Sequence, residues 1–65
     1  MCLGTAYYIQ GQSQEQILQD VAYIDLKGEQ VRLVTLLGQE KLVQGRLLEV
    51  DLEQGSILLQ PRSGA

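Results

Sequence analysis

VAYIDLKGEQVRLVTLLGQEKLVQGRL, residues 21–47, holds three apolar-rich segments separated by two short polar turns. In VAYIDLKG, Val21, Tyr23 and Asp25 fall on one side of an extended chain and Ala22, Ile24 and Leu26 on the other, the period-2 pattern of a strand. Lys27-Gly28-Glu29 makes a tight connection into QVRLVTLL, and Gly38-Gln39-Glu40 does the same before KLVQGRLLEVDLEQ, so two hairpins follow from the turns. Gly45, isolated inside the longest segment, predicts a bulge or a sharp bend. Val31, Leu33 and Leu37 share one face of their segment, while Val34 and Leu36 occupy the other; both faces call for burial.

The flanks read the same way. Upstream, CLGTAYYI is strand-like and ends in the uncharged polar run Gly11-Gln12-Ser13-Gln14, which reads as a turn or loop. SQEQILQDVAYI carries a helical alternative, because Ser13 with Gln16 resembles a capping box and Ile17, Leu18 and Val21 are helically spaced. The alternation from Val21 onward leaves room for one helical turn at most, and the aromatic and β-branched residues favour a strand. Downstream, Glu53-Gln54-Gly55 turns the chain into SILLQP. The expectation is an all-β single domain over residues 1–65, a small Sm-like or SH3-like antiparallel barrel of five to seven short strands.

Size narrows the options further. A chain of 65 residues buries only about 60% of its unfolded surface on folding. Such domains are commonly stapled by disulfides, metal or oligomerisation. One cysteine and no histidine exclude an internal disulfide and the usual zinc patterns. Oligomerisation is left, and the adjacent pairs Leu47-Leu48 and Leu58-Leu59 again leave two faces to cover, which predicts a homodimer. Leu3, Tyr7 and Tyr8 are placed near its axis. The lone thiol suits a reducing, cytoplasmic setting, and no stretch approaches the ~18 apolar residues of a membrane span. A net charge of −3 argues against unassisted nucleic-acid binding.

Candidate chemistry is sparse. Without histidine or a second thiol the usual catalytic constellations are missing, so the chain reads as a non-enzyme. Glu49, Asp51 and Glu53, spaced i, i+2, i+4, would line one strand face about 6–7 Å apart, either as a hard-cation site or, more commonly, as a solvated face. The seven glycines form no phosphate-binding pattern. Tyr7, Tyr8 and Tyr23 could stack bases, but five dispersed Lys/Arg residues make no basic cluster, and core or interface roles are favoured. Cys2 differs from all of these. Removal of Met1 would leave it with a free α-amine, and amine nitrogen plus thiolate sulfur close a five-membered chelate ring. Two such arms across a dimer axis supply two nitrogens and two sulfurs, a tetragonal set that suits nickel or copper. The alternative is a small apolar residue at the start of a strand.

The opening MCLGTAYYI, the hairpin LKGEQVRLVTLLGQEKLVQGRL and the ending LLEVDLEQGSILLQP together resemble the CooT family, small nickel-binding proteins related to an accessory factor for carbon monoxide dehydrogenase maturation. The cysteine after Met1, the TLLG turn, Gly45 and the Val50-Asp51-Leu52 stretch carry the likeness. It implies a barrel dimer with Ni(II) bound at Cys2, serving a nickel metalloenzyme or its maturation machinery, with no catalytic role. The glutamine-rich GQSQEQ departs from the family pattern. Two other readings stay open: an RNA-binding small-barrel module, a label the same group has carried, and a protein-protein adaptor without metal.

Overall fold

The structure is a computed structural model that describes residues 3–61. Five strands follow one another: β1 (Gly4–Gln10), β2 (Ser13–Lys27), β3 (Gln30–Thr35), β4 (Glu40–Asp51) and β5 (Ser56–Pro61). They pair in sequence order and close into a barrel through β1 and β5. Four of the five pairings are antiparallel; the closing one, Thr5–Tyr8 against Ser56–Leu59, is parallel. This departs from a wholly antiparallel barrel, and the reason is parity. Each hairpin reverses the chain, so the first and fifth strands run the same way and can meet only in parallel.

Glycine turns every corner at positive φ. Gly11 (62°) and Gly28 (61°) take the first position of two-residue loops, where a hairpin turn of the II′ class places glycine. The β3–β4 loop is closed by Thr35, whose N–H donates to the Gln39 carbonyl at 2.8 Å and whose hydroxyl accepts the Gln39 N–H at 3.0 Å. That bond explains how a threonine is tolerated in a buried position.

The turn or loop expected through Ser13-Gln14 is shorter than that, and the helical alternative over SQEQILQDVAYI is not taken: β2 is a 15-residue strand that begins at Ser13. Its helix-like spacing has a different origin. Register shifts flank Ala6 in the β1–β2 pairing and separate Val21 from Tyr23 in the β2–β3 pairing, and Asp20 takes a positive φ of 58° between them. Bulges let neighbouring residues face the same way, so Ile17 and Leu18 both pack against the core. At this bend β2 changes partners, and Val21 pairs with Gly4 on one side and Thr35 on the other.

The core holds Ala6, Val21, Val31, Leu33, Val43, Ile57 and Leu59, with each strand contributing. Leu37 is not among them: β3 ends at Thr35, and Leu37 sits in the turn at 92% exposure. Gly45 marks no bulge, since the irregularity in the β4–β5 pairing lies between Leu47 and Glu49. A Cβ at Gly45 would run into the β5 backbone, reaching 3.2 Å from the Gln60 carbonyl carbon and 3.3 Å from the Pro61 Cα. The close approach of β5 demands that glycine, which stands where β4 passes from pairing with β3 to pairing with β5.

Candidate metal centre at the amino-terminal arm

Cys2 lies outside the described residues; the structure describes the chain from Leu3, its neighbour. Leu3 is half-buried at one end of the barrel, where it lines an apolar cleft of about 190 Å³ with Gly4, Val21, Val50, Gly55 and Ile57 among others. Three close approaches fasten this entry. Gly4 packs so tightly on Ile57 that a Cβ would stand 2.7 Å from the Ile57 Cδ1. The Thr5 N–H donates to the Gly55 carbonyl at 2.8 Å, and a Cβ on Gly55 would stand 2.9 Å from the Leu3 carbonyl oxygen. The turn between β4 and β5 thus lies directly against the chain one residue from Cys2.

The carboxylate row is broken up by the same turn. Glu49 and Asp51 belong to β4, but the strand ends at Asp51 and Glu53 sits in the turn. Asp51 Oδ1 accepts the backbone N–H groups of Glu53 at 3.0 Å and Gln54 at 3.1 Å, and Asp51 O accepts the Gly55 N–H at 2.8 Å. Asp51 therefore shapes the turn. Among the described residues no three His, Cys, Asp or Glu side chains come together as a metal cage.

The tyrosines do not form one platform either. Tyr7 and Tyr8 are consecutive in β1 and point to opposite faces, Tyr8 toward the core. Burial, and secondarily the nearby Glu15 charge, raises the Tyr8 phenol above its ordinary value. Tyr23 is exposed on β2, with the Arg32 guanidinium 5.4 Å from its ring centroid. Arg32 is itself bound to Glu40 and to Asp25, the latter at 3.4 Å, and Lys27 lies 3.6 Å from Asp25. The Glu40 hydrogen bond is the chief cause that holds the guanidinium above its ordinary value. Two of the basic residues are thus engaged by carboxylates, which weakens the base-stacking reading. This cluster escaped the sequence reading, although Asp25 and Arg32 stand directly opposite each other on β2 and β3 and Glu40 opens the next strand.

The family model described as CO dehydrogenase accessory protein CooT matches residues 1–60. The chain belongs to the CooT family. No protein with a curated description matches it. A crystal structure assigned as a CooT from Carboxydothermus hydrogenoformans superposes with a TM-score of 0.88 at 24% identity, covering 95% of this chain and 100% of that one. At that identity the likeness speaks for the fold, and the closed five-stranded barrel is therefore a CooT fold. The matched region includes Cys2 and the whole β4–β5 turn. No helix among the described residues is long and apolar enough to cross a membrane.

Proposed function

We propose that this CooT chain is a non-catalytic, cytoplasmic nickel-binding accessory protein that holds Ni(II) through Cys2 across a homodimer. Its client would be a nickel enzyme of the carbon monoxide dehydrogenase kind or the machinery that matures it. The observation that carries this reading is the family match over residues 1–60, which spans the chain's single cysteine. The donor chemistry fits the metal. A thiolate with an adjacent amine or backbone nitrogens is a sulfur-nitrogen set of the type nickel accepts in tetragonal geometry. Among the described residues no competing cluster of ligands exists.

Dimerisation is supported by what the single core leaves uncovered. Leu37, Leu52 and Leu26 are 92%, 71% and 60% exposed, and Tyr23 and Val50 stand at the rim of the cleft beside Leu3. Pairing two copies would bury part of this surface and bring two arms together.

Titration with nickel, followed by sulfur-to-metal charge-transfer absorption, tests the reading. Saturation near half an equivalent per chain is expected, with methionine loss in the intact mass and a concentration-dependent dimer in sedimentation. Cys2→Ser should abolish the absorption and leave the β-rich circular dichroism spectrum unchanged. Tight binding retained in that variant would overturn the site. A stable monomer at micromolar concentration would remove the shared site. Salt-sensitive, submicromolar binding of single-stranded RNA would favour the nucleic-acid reading instead.

A further inference from the structure

Residue 2 can hold a metal in a defined place only if the chain leading to it is fixed, and the described residues show what fixes it. The β4–β5 turn reaches the arm through Gly55. Its carbonyl accepts the Thr5 N–H at 2.8 Å, and its Cα lies so close beneath the Leu3 carbonyl that any side chain there would stand 2.9 Å from that oxygen. The turn is in turn held by Asp51, through Oδ1 to Glu53 and Gln54 and through its own carbonyl to Gly55.

We propose that Gly55, set in place by Asp51, is a positioning residue that fixes where the metal-binding arm leaves the barrel. This rests on the reading of Cys2 as the nickel ligand. In a dimer, the spacing of the two thiolates follows from where each arm departs, so the turn governs how well two arms converge on one ion. Groups that orient ligands without touching the metal typically change affinity about 10- to 100-fold when altered.

The other glycine corners supply the control. Gly28 has a similar φ, 61° against 73° at Gly55, but a Cβ there meets nothing within 4 Å. Gly28→Ala and Gly55→Ala therefore both set an alanine at positive φ, and only the second presses on the arm. Gly55→Ala is expected to weaken nickel binding by about tenfold or more and to alter the charge-transfer band. In the metal-free protein it should speed hydrogen exchange at the Thr5 amide. Gly28→Ala should leave all three unchanged despite its own drop in melting temperature. Asp51→Ala, which loosens the turn without crowding Leu3, should act like Gly55→Ala. Asp51→Asn, which keeps the acceptor oxygen, should restore wild-type affinity.

Equal nickel affinity in Gly55→Ala and Gly28→Ala, with wild-type binding dependent on Cys2, would overturn the clamp and leave the nickel reading standing. Asp51→Asn as damaging as Asp51→Ala would also overturn it, because charge and not turn geometry would then be at work. Nickel binding absent from the wild type, or indifferent to Cys2→Ser, would overturn the reading and the inference together.

Discussion

Leu33 and Leu37 have the same residue type, lie four positions apart, and would share a face if the strand ran through both. In the barrel Leu33 is fully buried and Leu37 is 92% exposed. Leu33→Ala removes three carbons from the core, worth about 0.8 kcal/mol each as transfer free energy, or about 2.4 kcal/mol. The cavity left in a closed barrel raises the cost to about 3–4 kcal/mol. At roughly 2.1 cal/mol/K per residue, 65 residues give an unfolding entropy of about 0.14 kcal/mol/K, so the melting temperature should fall by about 20 °C or more. Leu37→Ala should change stability by less than about 0.5 kcal/mol. Urea and thermal unfolding followed by far-ultraviolet circular dichroism give both numbers. Measurement at two protein concentrations separates the barrel from the dimer, since a cost of Leu37→Ala that appears only at high concentration belongs to association. Comparable, concentration-independent losses for the two variants, or a loss below about 1 kcal/mol at Leu33, would refute the burial argument.

Gly45→Ala should destabilise by about 1–3 kcal/mol because its Cβ drives into the β5 backbone, which cannot step aside as a flexible side chain would; denaturant midpoints check this, and a neutral outcome would mean that β4 and β5 separate easily. Tyr8 makes the alkaline prediction. Its folded value lies above the unfolded one near 10.0, so the contribution of the neutral phenol is fully present below that pH and is lost as pH rises through the folded value. Stability should decline above about pH 10 more steeply in the wild type than in Tyr8→Phe, as read from unfolding curves across that range.

Much of the barrel is visible in the sequence because its corners are glycines and its strands alternate. Gly11, Gly28, Gly38 and Gly55 all take positive φ, and each stands where the sequence breaks between apolar segments. The failures have physical causes. Pattern reading assumes an unbroken period of two, whereas bulges near Ala6 and Val21 reset the phase and made Ile17, Leu18 and Val21 look helical. An alternation count carries β3 on through Leu37 and β4 on through Glu53, because turn residues can be apolar or charged without disturbing it. At Gly45 the glycine was visible but its cause was not: a bulge and a close approach leave the same letter. Cys2 stands out in the sequence as the odd residue, but the turn that meets its neighbour Leu3 does not, since Gly55 lies 52 positions from Leu3 and reaches it only when the barrel closes.

Closure links the fold to the candidate site. An odd number of strands joined by simple hairpins ends with the last strand running parallel to the first, so both enter the barrel from the same end. The start of β1 and the turn before β5 are therefore neighbours by topology, and the Thr5↔Ser56 pairing expresses that. With six hairpin-joined strands, the last would meet the first antiparallel, and its end, rather than the turn before it, would lie beside the start of β1. In this barrel the pairing that removes the last open sheet edge also seats Gly55 against Leu3. A change that opens the β1–β5 seam should on this account loosen the arm as well, which makes the Thr5 amide a reporter of both.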